Sequence, residues 1–173
     1  MSIIPFFFAA FAVRLVSLFI SISNEKKLKA AGAQEYGKLN SLFLTLAHVA
    51  FYAGCVWEGA AMDRHMNALS FAGLALFGFS MGMLAIVIRQ LGSLWTVKLI
   101  LASTHPINHS FLFRYVRHPN YFLNVLPELV AIALLCQAWN VLAIGLPLYL
   151  IPLGIRIYQE EKIMRRHFPQ YGN

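Results

Sequence analysis

The chain is poor in cysteine, the residue that builds disulfide frameworks and many metal sites. Its two cysteines, Cys55 and Cys136, lie in apolar runs without metal-ligand spacing, so we expect both to be small core residues. The chain also lacks a Walker loop, a G-x-G-x-x-G fingerprint, an H-E-x-x-H pair and a serine nucleophile elbow. These absences argue against a Rossmann-type methyltransferase, a nucleotide-driven pump and a metal site.

Charged residues are scarce as well, at 12% of the 173 residues against 59% hydrophobic ones, and the mean hydropathy is +0.63. A soluble domain of this size could not bury so much apolar surface. The composition therefore predicts an integral-membrane protein. The net charge of +7 does not indicate nucleic acid, because the cations are distributed as in a membrane protein.

Five apolar segments are long enough, or nearly so, to cross a hydrocarbon layer of ~30 Å at ~1.5 Å per residue. They cover residues 3–22, 39–62, 69–91, 120–136 and 139–157. The fourth is the shortest, and only Gln137 and Ala138 separate it from the fifth, which predicts a tight helical hairpin. The predicted fold is an all-α integral-membrane bundle of five transmembrane helices in a single domain, with three spans in residues 1–90.

The basic residues predict the orientation of this bundle. Of the 14 Lys and Arg, Arg64 lies on one side and Arg14 inside the first span, which leaves twelve on the other side. Such an excess marks the cytosolic side, so we expect the N-terminus outside and the C-terminus inside. The first cytosolic segment, residues 24–40, is expected to form a short surface helix, with an ordinary solvated loop that sets the orientation as the alternative.

Ionisable side chains within the spans are costly to bury, so each is a candidate site. Arg14 and Glu128 lie at matching depths, roughly 12 Å from the cytosolic boundary at ~1.5 Å per residue. Glu128 could be a proton acceptor or substrate anchor, or it could form a structural ion pair with Arg14, and the sequence leaves both open. Glu58, near the outer end of the second span, is expected to be structural, and His48 a hydrogen-bonded core histidine.

A short motif, Arg117-His118-Pro119-Asn120-Tyr121, precedes the fourth span. Proline suits the first position of a helix because it lacks an N–H that would have no intrahelical partner. His118 is then the N-cap, and Arg117 lies beside free helix amides that attract anions. The motif therefore predicts a site for a cytosolic ligand that carries a carboxylate.

Arg156 and Glu160 are four residues apart on one face of the last helix. Arg156 could be a snorkelling arginine with a surface partner, or it could face a cavity in the bilayer while Glu160 faces a cytosolic ligand. A separate spacing, Gly78-x-x-x-Gly82, allows close helix approach, and we expect internal packing rather than a dimer seam.

Three features together resemble the isoprenylcysteine carboxyl methyltransferase family of integral-membrane enzymes. They are Leu91-Gly92-x-x-Trp95-Thr96, the motif at residues 117–121, and Arg156-x-x-x-Glu160-Glu161 leading to Phe168-Pro169-Gln170-Tyr171. Residues 24–26 and 32–35 look like a bacterial branch, similar to O-methyltransferases that act on alkylpyrones and alkylresorcinols from type III polyketide synthases. Relatives usually have Gly-x-Tyr where this chain has Phe111-Leu112-Phe113.

The resemblance implies that S-adenosylmethionine is the cofactor and that residues 91–173 form the cofactor-binding catalytic part, with a cytosolic segment between helices three and four. The implied cofactor-binding residues are His105, Ile107, Asn108, Arg117, His118, Pro119, Asn120, Tyr121 and Glu160. Arg156 is expected to meet the substrate, Glu128 or a histidine to accept a proton, and Tyr121 or Trp95 to stack on adenine.

The predicted function is methylation of a lipophilic acceptor that enters from the bilayer. The acceptor oxygen could belong to an alkylpyrone, an alkylresorcinol or a prenylated carboxylate. A phospholipid or amine N-methyltransferase and a non-enzymatic membrane scaffold or transporter remain alternatives. We expect a monomer or weak homodimer in a bacterial inner membrane, with membrane lipids around it and the cofactor site facing the cytosol.

Overall fold

Long apolar helices dominate the computed structural model, which describes residues 1–101, 112 and 115–167. Within this part of the chain, the α-helices are α1 (Ile4–Ala30), α2 (Lys38–Ala61), α3 (Ala68–Leu91), α4 (Leu126–Cys136) and α5 (Leu146–His167). The π-helical stretches Asn120–Val125 and Val141–Gly145 lead directly into α4 and α5. The structure thus confirms the expected helical fold of a membrane protein.

Four helices in the described part of the chain are long and apolar enough to cross a membrane. They are Ile4–Ala30, Lys38–Ala61, Ala68–Leu94 and Val141–His167. The helix Asn120–Cys136 is apolar but shorter, in agreement with the prediction that the fourth apolar segment is the shortest.

The short helix α4 forms the centre of the bundle. Its most buried residues, all 0% exposed, are Glu128, Leu129, Ala131, Ile132, Ala133, Leu135 and Cys136. A Cβ added to Gly73 of α3 would lie 2.6 Å from the backbone nitrogen of Leu135 and 2.7 Å from the carbonyl oxygen of Ala131. Glycine therefore allows α3 to touch the α4 backbone, and Gly59 of α2 does the same at the carbonyl of Cys136.

Gly78 and Gly82 lie on the outward face of α3, contrary to the sequence prediction. A Cβ at Gly78 or Gly82 would meet nothing within 4 Å, so the prediction that this pair packs inside the bundle is wrong. The buried residues of α3 lie on another face, which includes Gly73, Phe77 and Leu84.

The turn between α4 and the last helix is a tight hairpin, as predicted. Gln137 adopts a left-handed conformation with φ of 53°, and its side-chain amide donates to the carbonyl of His65 at 2.7 Å. Glu58 accepts hydrogen bonds from the backbone N–H groups of Asn140 and Val141, at 3.0 and 2.9 Å. Glu58 therefore caps the start of the last helix, which confirms its structural role.

A two-stranded sheet replaces the surface helix expected in residues 24–40. Residues up to Ala30 continue α1, and β1 (Gln34–Tyr36) pairs antiparallel with β2 (Leu99–Leu101). Gly32 and Gly37 have φ of 85° and 57°, a region open mainly to glycine. Gly32 lies in the turn that follows α1, and Gly37 immediately precedes α2. The prediction of a separate surface helix was wrong, because β1 pairs with β2, a strand more than 60 residues later in the sequence.

Ionic contacts tie this sheet to the end of α1. Lys98 lies 2.7 Å from Glu25, and Lys29 contacts both Glu25 at 2.6 Å and Glu35 at 2.5 Å. The chain entering the segment between helices three and four is thereby fixed against the end of α1.

Candidate functional site

The motif at residues 117–121 starts a helix, as predicted. The carbonyl of His118 accepts hydrogen bonds from the N–H groups of Tyr121 at 3.0 Å and Phe122 at 3.2 Å. Pro119 has φ of −62° and ψ of −31°, so the helical conformation begins at Pro119. Arg117, just before it, is exposed.

The same motif meets the end of α5. The hydroxyl of Tyr121 donates to Oε2 of Glu160 at 2.7 Å. Nδ1 of His118 lies 3.6 Å from Oε1 of Glu160, and Nε2 lies 3.4 Å from Oε1 of Glu161. Two segments about 40 residues apart in sequence therefore share one polar site, and Glu161 is a member that the sequence prediction missed.

Arg156 lies beneath this site and is only 2% exposed, so the snorkelling interpretation is wrong. Its guanidinium donates from Nε to the Tyr121 hydroxyl at 3.3 Å, from Nη1 to Oγ of Ser41 at 2.7 Å and from Nη2 to the carbonyl of Val97 at 2.7 Å. All three nitrogens are thus used, and they join α2, α5, the start of the fourth apolar helix and the chain before β2.

The electrostatics of the site favour a charged imidazole. Burial lowers the pKa of His118, but the carboxylates of Glu160 and Glu161 outweigh it, and the net result is a pKa above the ordinary histidine value. His118 can therefore carry a positive charge between two carboxylates.

The side chains at this site fit a ligand with both amino and carboxylate groups. Glu160 and Glu161 are 29% and 27% exposed, so their oxygens can accept hydrogen bonds from an ammonium or from hydroxyls. Nδ1 of His118 is buried and has no hydrogen-bond partner in the described part of the chain. The exposed guanidinium of Arg117 can pair with a carboxylate.

A second polar cluster lies deeper in the bundle. Nε of Arg14 is 2.9 Å from Oε1 of Glu128, and the hydroxyl of Tyr52 donates to the same oxygen at 2.5 Å. His48 lies between Glu128, at 3.5 Å from Nε2, and the hydroxyl of Tyr149, at 3.4 Å from Nδ1. The structure thus contains the ion pair expected from the matching depths, and His48 is a core histidine with polar neighbours.

The two clusters are stacked along the same helices. Tyr121 and Glu128 are seven residues apart, and so are Arg156 and Tyr149, which corresponds to two helical turns or about 10 Å. Glu128 therefore does not lie beside Arg156, although the sequence placed both among the catalytic residues.

The structure does not place at this site four of the residues that the sequence assigned to the cofactor. His105, Ile107 and Asn108 lie outside the described residues. Trp95 is 2% exposed and packs with Leu84 and Val87, so it is not available to stack on adenine.

The sequence prediction also missed Ser41 and Tyr52. Together with His48 they recur at i, i+7 and i+11 on one face of α2, and this polar stripe on an apolar helix could have revealed them.

Comparisons with known proteins relate this chain to one family and to two uncharacterised relatives. The model of the isoprenylcysteine carboxyl methyltransferase family matches residues 72–166. An uncharacterised protein of Haemophilus influenzae is 50% identical over 159 residues, 92% of each chain. The uncharacterised protein YpbQ of Bacillus subtilis is 23% identical over 155 residues, 89% of this chain and 91% of YpbQ. No solved structure matches the chain significantly.

Proposed function

Because this chain belongs to the isoprenylcysteine carboxyl methyltransferase family, we propose that it methylates a lipophilic acceptor with S-adenosylmethionine. The family and the four apolar helices support an integral-membrane methyltransferase. The observation that carries the finer proposal is the convergence of His118 and Tyr121 with Glu160 and Arg156 at one end of the bundle.

The chain's own residues provide complementary partners for the cofactor. Arg117 and the first helix amides hold its carboxylate, while Glu160 and Glu161 accept hydrogen bonds from its amino and hydroxyl groups. His118 carries positive charge between these carboxylates and orients them. When bound, S-adenosylmethionine supplies an electrophilic methyl group attached to a sulfonium.

The acceptor reaches this site from the bilayer. Arg156, held by Ser41 and the carbonyl of Val97, keeps the Tyr121 hydroxyl in place at the inner edge of the site. A guanidinium fixed in this way favours methyl transfer by orientation of the reacting groups. We propose an oxygen acceptor, such as that of an alkylpyrone, an alkylresorcinol or a prenylated carboxylate.

The proposed arrangement has five spans, with the N-terminus outside, the C-terminus inside and the cofactor site facing the cytosol of a bacterial cell. It is supported by the helix ends that gather at the site. Asn24, at the end of α1, donates to the carbonyls of Gly92 and Trp95, and Asn40, at the start of α2, donates to the carbonyl of Pro152. These are also the ends that carry most of the cations, whereas Arg64 lies in the connection between α2 and α3.

Binding of S-adenosylmethionine to the purified full-length protein in lipid nanodiscs tests the proposal. Wild-type protein should bind saturably, and His118→Ala and Glu160→Gln should each weaken binding by at least about tenfold, roughly the loss of one charge-assisted hydrogen bond. Asp63→Asn is the matched control, because it neutralises an exposed carboxylate in the α2–α3 connection. The proposal fails if folded wild-type protein does not bind the cofactor.

A further inference from the structure

The deep cluster contains a carboxylate, an imidazole and a phenol in series. His48 stands between Glu128 and Tyr149, at 3.5 and 3.4 Å from their oxygens, and its ring stacks on Tyr52 with 5.0 Å between centroids. A base that contacts a hydroxyl and is oriented by a third group is an arrangement that enzymes use to remove protons. Contacts of this kind are often long until the substrate is bound.

The carboxylate of Glu128 determines which ring nitrogen of His48 carries the hydrogen. A carboxylate has no proton to donate, so the hydrogen of the neutral imidazole is assigned to Nε2, which lies 3.5 Å from Oε1 of Glu128 without a hydrogen bond in this structure. The lone pair of Nδ1 then faces the hydroxyl of Tyr149. Arg14, at 2.9 Å, and Tyr52, at 2.5 Å, contact the same oxygen, Oε1, that faces His48, and the guanidinium balances the charge of the carboxylate. The charged and titratable groups around His48 are therefore Arg14, Tyr52, Glu128 and Tyr149, one from each of α1, α2, α4 and α5.

Two buried oxygens next to this cluster have no donor. Oε2 of Glu128 and Oδ1 of Asn124 lack hydrogen-bond partners in the described part of the chain, and both side chains are 0% exposed. The two residues are four apart on one helix face, and Asn124 lies between Tyr121 and the deep cluster. Buried oxygens without a donor are rare and costly, and a ligand that carries hydroxyl groups would satisfy them.

We propose that Tyr149, His48 and Glu128 remove the proton from a hydroxyl-bearing acceptor, an inference that rests on the proposed function and deepens it. The acceptor O–H bond breaks as its proton passes to the oxygen of Tyr149, whose own proton passes to Nδ1 of His48. The electron pair left on the acceptor oxygen forms the bond to the methyl carbon, and the pair of the broken carbon–sulfur bond stays on sulfur. The proton remains on the His48 imidazolium, opposite the Glu128 carboxylate.

This assignment divides the roles among the three residues. Tyr149 contacts the acceptor, His48 accepts the proton through it, and Glu128 is a positioning residue rather than a catalytic one. A carboxylate acceptor is already ionised at neutral pH and needs no base. The acceptor class that requires this cluster is therefore a neutral phenol or enol on a lipid tail.

The first test needs no turnover and uses a long-chain alkyl-4-nitrophenol, whose phenolate absorbs visible light. Bound to full-length wild-type protein in nanodiscs, the probe should show an apparent pKa at least about one unit lower than when bound to His48→Gln, a tenfold difference in ionisation. His65→Gln, which changes an exposed histidine, should titrate like wild type. Equal values for wild type and His48→Gln overturn the proposal.

The second test compares methyl transfer to two probes, a long-chain alkylphenol and an S-farnesylcysteine derivative that offers a carboxylate. His48→Gln and Tyr149→Phe should each lower kcat for the phenol by about 100-fold with little change in KM. The loss should shrink as pH rises, because the phenol then ionises without help. The reaction with the carboxylate, which needs no proton acceptor, should lose far less than the reaction with the phenol.

The outcomes separate this inference from the proposed function. Equal losses on both probes indicate a structural role for His48 and overturn the inference, as does transfer by wild-type protein to the carboxylate alone. In both cases the methyltransferase assignment stands. Failure of wild-type protein to bind S-adenosylmethionine overturns the proposed function itself.

Discussion

Replacing Gly73 by alanine should destabilise the bundle, although alanine is the better helix former. The new Cβ would lie 2.6 and 2.7 Å from two backbone atoms of α4, and the third neighbour, Cβ of Leu134, is at 3.1 Å. Backbone cannot rotate away, so α3 and α4 must separate at the most buried part of the molecule. Overpacking of this kind costs about 1–3 kcal/mol, and the gain in helix propensity returns at most about 1 kcal/mol.

The net expectation is a loss of up to about 2 kcal/mol, or a Tm lower by up to about 8 °C in a protein of this size. Gly78→Ala on the same helix is the matched control, because its Cβ would meet no atom within 4 Å. This control should leave the Tm unchanged or raise it slightly. Thermal unfolding of both variants in one detergent, followed by intrinsic fluorescence, measures the difference. A Gly73→Ala protein as stable as Gly78→Ala would refute the close contact between α3 and α4.

Three further predictions concern charged side chains. Because the pKa of His118 is raised in the folded protein, its ion pairs contribute full stability below the unfolded pKa of about 6.5 and lose it as pH rises through the folded pKa. The Tm advantage of wild type over His118→Gln should therefore shrink from pH 6 to about pH 9, and a constant difference would contradict the pairing. Arg156→Lys should reduce methyl transfer by at least about 100-fold, because an ammonium cannot donate to Tyr121, Ser41 and Val97 in the planar geometry of a guanidinium. Near-normal turnover would count against this role. Arg14→Leu should lower the free energy of unfolding by about 3–5 kcal/mol by leaving Glu128 unpaired, and adding Glu128→Leu should recover most of that loss in a double-mutant cycle. Strictly additive losses would show that the two side chains do not interact.

The sequence predicted the features that depend on local patterns. Helix positions followed from apolar length, and the helix start at Pro119 followed from the chemistry of proline. The equal depth of Arg14 and Glu128 gave their ion pair as one of two open interpretations, and the structure contains it. The sequence could not show which glycines are buried. Gly78 and Gly82 have the familiar spacing, but Gly73 is the residue in contact, because rotation of a helix about its axis depends on the whole bundle.

The sequence also could not predict contacts between segments that are far apart in the chain. The pairing of β1 with β2 depends on two three-residue strands that carry no strong periodic signal. The hydrogen bond from Arg156 to the carbonyl of Val97 uses a backbone atom, which every residue offers. Such contacts are specified by the folded chain rather than by side-chain identity, so only coordinates reveal them.

The shortness of the helix Asn120–Cys136 has a consequence for how an amphiphile is handled. At ~1.5 Å per residue it covers about 25 Å, less than the ~30 Å of a typical hydrocarbon layer. The Cys136 end of this helix joins the last helix through the two-residue turn. In the proposed arrangement, the missing length therefore falls at the end that carries His118 and Tyr121. The proposed site then lies below the headgroup plane, where an amphiphile presents its polar end while its tail stays in the lipid.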